Sequence, residues 1–333
     1  MNNHIIHRKW QLSSLSTACR KPRHDAYTDT HPELTRLFQQ ASGIILGKDR
    51  QIRLALACLI ARGHLLIEDL PGVGKTTLAH LLAQLLGLHF QRIQFTSDML
   101  PADIVGVSVY DRGSSSFVFH PGPIFAQLIL ADEVNRATPK TQSALLEAME
   151  EHQVTAEGAS RPLPQPFFVV ATQNPSHQIG TFPLPESQLD RFLMKIALGY
   201  PDRKAERELL CGADRREMIT HLQACLQPEE LQRLQQEALA VHVADPLIDY
   251  IQALVTHTRQ CADYRFGLSP RAALALLAAA RAWALIEGRD HALPEDVQAV
   301  LPAVAPHRLH LASQAQRSAE EIASELIGAV PLP

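Results

Sequence analysis

The sequence lacks the cysteine and histidine patterns that hold metals or disulfide frameworks. Its five cysteines are widely spaced, with no Cys-x-x-Cys pair, and its sixteen histidines form no His-Glu-x-x-His motif or Cys/His cluster. An odd, scattered set of cysteines is typical of small buried side chains or free thiols in a reducing compartment. We therefore predict no structural metal.

Signals for export or membrane insertion are also missing. The first 24 residues carry five Lys/Arg and no acidic residue, but they contain no apolar segment of a secretory signal. The apolar runs at 54–67 and 272–286 are interrupted by Arg62 and Arg281, and neither is long enough to span a bilayer. Together with the cysteines, this predicts a cytoplasmic protein. The basic start is typical of a disordered tail or of a targeting or binding arm, and we expect a disordered tail over residues 1–30.

No strong charge excess favours a polyanionic partner. The formal net charge is −4 over 333 residues, so overall charge predicts binding to neither nucleic acid nor an anionic membrane. With 46% hydrophobic and 20% charged residues, the composition is that of a soluble globular protein. The length is typical of two or three domains.

Hydrophobic patterns change near residue 200. Two apolar-faced helical segments open the ordered part, and near-continuous apolar runs at 126–133 and 166–175 are typical of parallel strands covered by helices on both faces. Further strands are predicted at 64–68 and 90–95 and before residue 200. Residues 104–120 alternate around a Gly-Ser turn, which predicts a hairpin.

After about Asp202 the sequence predicts helices alone. In one of them Ser269 is suited to the N-cap, Pro270 to the first helical position and Gly288 to the C-terminal end. We therefore predict an α/β domain over 31–200 and a smaller all-α domain over 201–333.

A phosphate-binding loop is the main functional signal. "LLIEDLPGVGKTTLAHLLAQLLG" (65–87) places a strand, a glycine loop and a helix in the order that phosphate binding requires. Backbone N–H groups near Gly72 and Gly74 can approach phosphate oxygens, Lys75 can reach the β- and γ-phosphates, and the Thr76 hydroxyl can ligate Mg²⁺. The generic motif begins with glycine where this chain has Asp69. That side chain can point away from the nucleotide, because the position lies at the end of the strand.

Polar residues end two further predicted strands. In "LILADE", Asp132 is placed to hold Mg²⁺ and Glu133 to polarise an attacking water, a division of labour that phosphoryl transfer requires. In "VVATQNP", Asn174 can orient that water together with Glu133. Each motif alone is also compatible with an ordinary turn. After a phosphate loop in an α/β pattern, however, catalysis is the interpretation we favour.

Two arginines could add positive charge to a hydrolytic site. Arg191 follows Asp190 just before the last predicted strand, where a salt bridge is the ordinary interpretation and an arginine finger the functional one. Arg271 lies in the first turn of its helix, where a cation is disfavoured by the helix dipole. This position suggests an anion nearby, and the γ-phosphate is our candidate.

These segments together resemble the MoxR family of AAA+ ATPases, within the helix-2-insert clade. The resemblance is carried by "EDLPGVGKTTLA", "FTSDMLPADIVG", "GPIFAQLILADEVNRATPKTQSALLEAMEEHQVT", "FFVVATQNPSHQIGTFPLPESQLDRF" and "GLSPRAALALL". It extends from about Pro32 to Leu309. Aspartate in place of the first loop glycine is common in that family.

The resemblance implies an AAA+ fold: a parallel-sheet P-loop core with a hairpin insert in helix 2, followed by a helical lid. It implies an ATP- and Mg²⁺-binding set made of Ile45, Leu46 and Gly47 at the adenine, the Walker A residues Pro71, Gly72, Val73, Gly74, Lys75, Thr76 and Thr77, and the Walker B residue Asp132. Thr76 and Asp132 are the metal ligands. The implied catalytic residues are Glu133, Asn174 as sensor 1, Arg191 as arginine finger and Arg271 as sensor 2.

The resemblance also implies a homo-oligomer, a hexameric ring in which Arg191 completes the neighbouring subunit's site. Such proteins remodel or activate a protein client in a chaperone-like way, often with a partner that carries a von Willebrand factor A domain. Alternatives are a chelatase-like or DNA-associated motor of the same clade, and a nucleotide-gated scaffold. The near-neutral charge argues against a DNA motor, and the presence of Glu133 and Arg191 argues against a scaffold. The absence of an Asn-Lys-x-Asp motif from the chain argues against a GTPase.

Overall fold

A computed structural model describes residues 31–174, 181–312 and 317–332; the predicted N-terminal tail lies outside the described residues. The strands are β1 (Leu65–Glu68), β2 (Phe90–Gln94), β3 (Gly106–Asp111), β4 (Ser116–Pro121), β5 (Leu128–Asp132), β6 (Gln153–Ala156), β7 (Ala159–Pro162), β8 (Phe168–Gln173), β9 (Met194–Ile196), β10 (Tyr264–Phe266) and β11 (His310–Leu311). The helices are α1 (Pro32–Ile44), α2 (Asp49–Ile60), α3 (Lys75–Leu85), α4 (Pro101–Val105), α5 (Pro139–Glu151), α6 (Glu186–Leu189), α7 (Arg203–Cys211), α8 (Arg215–Thr220), α9 (Pro228–Ala240), α10 (Asp245–Gln260), α11 (Pro270–Ile286), α12 (Pro294–Val304) and α13 (Ala319–Ala329).

The centre of the fold is a five-stranded parallel sheet in the order β2-β5-β8-β1-β9. The predicted apolar strands are confirmed. Alternate residues of each inner strand enter two different cores: Leu65 and Ile67 pack with α1, α2, α3 and the C-terminal helices, whereas Leu66 packs on the α5 side. Helices therefore cover both faces, as expected for a parallel sheet.

This arrangement sets the position of every polar strand end. Since all five strands are parallel, the residues that follow β1, β5 and β8 lie at one edge of the sheet, which we call the carboxyl edge. The residues that precede the strands lie at the opposite, amino edge. In open α/β sheets, ligands bind at the carboxyl edge.

Two hairpins project from the core. The predicted one is confirmed as β3–β4, which pairs Gly106 with Pro121 and Asp111 with Ser116. The second, β6–β7, was not predicted from the sequence. Its turn contains Glu157 and Gly158, both with positive φ. Glu-Gly is a weaker turn signal than Asn-Gly or Asp-Gly, so the sequence pattern did not predict this hairpin.

The region after β9 is mainly helical, as predicted. In α11 the Ser269 hydroxyl accepts the N–H of Ala272, and Gly288 follows the end of the helix, which confirms the predicted caps. One short antiparallel pair, β10–β11, was not predicted, because it joins segments that lie far apart in the chain. Across the described ranges, no helix is both long and apolar enough to cross a bilayer.

Candidate active site

The phosphate loop connects β1 to α3 at the carboxyl edge. Gly72 and Gly74 have φ of 84° and 99°, which favours glycine, and a Cβ at either position would meet no atom within 4 Å. The loop is thus open on that side. Gly74 caps α3 without a side-chain hydrogen bond, and no acidic residue occupies the first turn. The helix N-terminus and loop amides therefore fit an anionic phosphate.

Lys75 is the first residue of α3 and is only 7% exposed. Its ammonium donates to the Asp69 carbonyl and, at 2.9 Å, to Oδ1 of Asn174. Burial lowers the pKa of Lys75, and the charges of Asp69, Asp132 and Glu133 oppose that shift. The geometry holds one cation at the base of the open loop.

Asp69 does not face the loop opening. Its Oδ2 accepts the backbone N–H groups of Leu198 and Gly199, each at 2.6 Å, and its Oδ1 accepts the N–H of Leu70 at 2.7 Å. The expectation that the side chain points away from the nucleotide agrees with this geometry. The partners Leu198 and Gly199 could not be identified from the sequence, because they lie about 130 residues further along the chain.

Asp132 ends β5 and is 7% exposed. Its Oδ1 accepts the Thr172 hydroxyl at 2.5 Å, and its Oδ2 accepts two N–H groups of Arg92, at 3.1 and 2.6 Å. The described ranges contain no cluster of three or more His, Cys, Asp or Glu arranged for a metal ion. The hard oxygens of Thr76 and Asp132 fit Mg²⁺ that is held largely by nucleotide phosphates, a common mode for this ion.

Glu133 has a left-handed backbone (φ 57°, ψ 47°), a conformation that costs a non-glycine residue about 1–3 kcal/mol. Its N–H donates to the Thr172 hydroxyl oxygen at 2.9 Å. The carboxylate accepts from Gln94 at 3.1 Å, from Arg136 at 2.8 Å and from Asn174 at 3.2 Å. The strained backbone aims this carboxylate across the carboxyl edge.

Asn174 joins the two halves of the site. Its Oδ1 accepts from Lys75 and its Nδ2 donates to Glu133. The Asn174 amide, in a residue that is 5% exposed, thus sets the position of the Lys75 ammonium relative to the Glu133 carboxylate. The structure therefore brings together Lys75, Asp132, Glu133 and Asn174.

Arg191 and Arg271 lie apart from this cluster. Both bind one carboxylate: Arg191 contacts Oε2 of Glu150 at 3.0 Å, and Arg271 contacts Oε1. Arg191 precedes β9, whose first residue, Met194, is in register with Leu65 at the start of β1. This cluster is therefore at the amino edge. The four residues of β1 alone separate the two edges by about 13 Å.

The predicted adenine segment, Ile45 to Gly47, connects α1 to α2. A Cβ at Gly47 would lie 3.6 Å from that of Ala205 in α7, and the next residue, Lys48, donates to the Tyr200 carbonyl at 2.8 Å. Tyr200 directly follows Gly199, whose backbone N–H donates to the Asp69 carboxylate. The segment therefore lies beside the chain that leaves β9, and its contact with adenine stays a prediction.

Two polar residues of β2 that contact the site were missed by sequence reasoning. Arg92 and Gln94 alternate along β2 and contact Asp132 and Glu133, respectively. Polar side chains on one face of "FQRIQF" were the available signal. It could not be interpreted without the strand order, which places β2 next to β5.

Comparisons with known proteins cover both regions of the chain. Residues 64–194 match the "ATPase family associated with various cellular activities (AAA)", and residues 256–326 match the "AAA lid domain". The chain is 44% identical to the uncharacterized protein YeaC of Bacillus subtilis, over 92% of this chain and 96% of that protein. It is 43% identical to Chaperone MoxR1 of Mycobacterium tuberculosis, over 88% of this chain and 79% of that protein. A crystal structure of a candidate ATPase from Cytophaga hutchinsonii is 36% identical with a TM-score of 0.82, and the match covers 91% of this chain and 96% of that one.

Proposed function

Because the chain belongs to the MoxR family of AAA+ ATPases, we propose that it hydrolyses ATP with Mg²⁺ at sites shared between subunits. The proposed outcome is chaperone-like remodelling or activation of a protein client. The observation that carries this proposal is the separation of Lys75, Glu133 and Asn174 from Arg191 and Arg271 at opposite edges of one sheet.

Residues at the carboxyl edge would bind the nucleotide and activate water. The backbone N–H groups of Gly72 to Thr77 and the ammonium of Lys75 hold phosphate oxygens. Thr76 and Asp132 would hold Mg²⁺, which neutralises developing charge when bound. Glu133 accepts a proton from the attacking water, and Asn174 fixes the direction of that carboxylate.

Residues at the amino edge would complete the site of a neighbouring subunit. Phosphoryl transfer is accelerated by guanidinium groups at the transferred phosphate, and those of Arg191 and Arg271 lie at the opposite edge from their own subunit's loop. A contact between one subunit's amino edge and another's carboxyl edge is heterologous, and such contacts close into rings when the rotation permits. We propose that Arg191 and Arg271 act together across this contact, in a hexameric ring.

We assign residues 31–200 to the core and 201–333 to the lid, since the last sheet strand ends at Ile196 and α7 begins at Arg203.

Client remodelling is supported by the relative named Chaperone MoxR1, and the exposed hairpin residues Tyr110 and Phe117 are candidates for client contact. A partner with a von Willebrand factor A domain rests on family resemblance alone. A cytoplasmic location is supported by the free thiols of Cys58, Cys211, Cys225 and Cys261.

The test is the ATP hydrolysis rate per subunit against protein concentration, with the mass distribution measured in the same samples. We expect the rate to rise steeply with concentration and to saturate as oligomers form. Lys75→Ala protein provides the blank. An appreciable rate in samples that contain monomers alone would contradict a shared site. No turnover at any concentration, with ATP still bound, would favour the nucleotide-gated scaffold.

A further inference from the structure

Asp69 uses every polar group it has. Its N–H donates to the Gln173 carbonyl, its own carbonyl accepts from Lys75, and its carboxylate accepts the three amides of Leu70, Leu198 and Gly199. The residue is 8% exposed, and a buried carboxylate is tolerated because these N–H groups replace water. Glycine, which the generic loop motif has here, could make none of the side-chain bonds.

The two distant amides belong to the segment that leaves the sheet. Residues 197–202 connect the end of β9 to the start of α7. Within this segment the Tyr200 carbonyl accepts from Lys48, and Asp202 caps α7 by accepting the Ala205 N–H at 2.7 Å. One short segment is thus tied to the phosphate loop, to the predicted adenine segment and to the first helix after the sheet.

We propose that Asp69 is a positioning residue that couples the phosphate loop to the segment leading into the lid. This proposal rests on the nucleotide function proposed above. Phosphate binding draws the Lys75 ammonium and the loop amides towards the anion. Because the Asp69 carbonyl is held by Lys75 and its carboxylate by Leu198 and Gly199, a shift of the loop is passed to residues 197–202. Charge-assisted hydrogen bonds are short and directional, which suits them to this transfer.

Hydrogen exchange of the full-length protein tests the coupling. Peptides covering 72–77 and 197–202 are followed without nucleotide, with ADP and Mg²⁺, and with a non-hydrolysable ATP analogue and Mg²⁺. In the wild type we expect nucleotide to slow exchange in 72–77 and to change exchange in 197–202 about fivefold or more, with the same half-saturating concentration.

Two variants, Asp69→Ala and Asp69→Gly, remove the side-chain acceptor that makes the link. In both, exchange at Leu198 and Gly199 should rise about tenfold without nucleotide, and the nucleotide effect on 197–202 should disappear while 72–77 are still protected. Asp214→Ala is the matched control, since the Asp214 carboxylate accepts the backbone N–H of Arg216 at the start of α8, outside both peptides.

The outcomes separate two failures. If nucleotide protects neither peptide in the wild type, the proposed nucleotide function fails. If 72–77 are protected and 197–202 do not respond in the wild type, or respond equally in Asp69→Ala, the coupling is refuted. An absent response of 197–202 in the wild type refutes the coupling even if both variants fold poorly.

Discussion

Arg92 donates two hydrogen bonds to one oxygen of Asp132, from Nε at 3.1 Å and from Nη2 at 2.6 Å. These bonds use both lone pairs of Oδ2, and the Thr172 hydroxyl uses one of Oδ1. The proposed metal ligand therefore has a resident cation beside it. Arg92 is half-exposed, so solvent screens part of its charge.

We predict that Arg92→Gln lowers the Mg²⁺ concentration required for half-maximal nucleotide binding, by about threefold, because a competing positive charge is removed. The measurement is a Mg²⁺ titration of ADP binding. Arg317→Gln, which breaks an exposed pair with Asp263, is the control. An increased Mg²⁺ requirement would show instead that Arg92 helps to orient Asp132 for the metal.

Lys75→Ala should weaken ATP binding by about 100-fold or more, because the charge-assisted bonds to phosphate are lost. Isothermal titration measures this, with the exposed Lys140→Ala on α5 as control. Melting temperatures of both variants report on folding. Affinity within threefold of the wild type would remove the loop lysine from the mechanism.

Glu133→Gln should bind ATP nearly normally and lower single-turnover hydrolysis by about 10²–10⁴, because the amide cannot accept a proton from water. The hydrogen bond from Asn174 can persist in this variant, so the geometry is expected to survive. Glu147→Gln on α5 is the control. Unchanged turnover would assign the base to another residue.

Arg191→Ala should lower hydrolysis by about 10³-fold or more and leave ATP binding by subunits intact. Mixed with Glu133→Gln protein, it should regain activity, since one kind of mixed interface combines an intact Glu133 with an intact Arg191. Arg271→Ala should behave in the same way, because the two guanidinium groups share Glu150. No recovery in mixtures that co-assemble would argue against action across the interface.

Glu150→Gln should lower turnover about tenfold at saturating ATP without changing ATP affinity. The reason is that a carboxylate holds the two like-charged guanidinium groups side by side, whereas the neutral amide has one acceptor oxygen. Mixing with Glu133→Gln protein should rescue it. Glu151→Gln, at the neighbouring exposed position, should leave turnover unchanged. An equal loss of turnover in that variant would indicate general damage to α5.

Several elements could be predicted because their signals are local. The strand, glycine loop and helix of residues 65–87 are contiguous, and the caps of α11 depend on Ser269 and its immediate neighbours. The β10–β11 pair could not be predicted, since Tyr264 meets Leu311 after an intervening stretch that contains α11 and α12. Its pairing depends on how those helices pack.

The sequence by itself determined which chemical groups are available to the proposed site: a glycine loop with its lysine, two acidic residues and an amide at the ends of buried strands, and two arginines that precede or begin later elements. These depend on residue type and on short-range order in the chain. The tertiary structure decided where the charges meet. It placed Asp69 against Leu198 and Gly199, Arg92 against Asp132, and both arginines on Glu150 at the far edge of the sheet. Strand order and register determine these contacts between distant segments, and neither can be derived from local pattern.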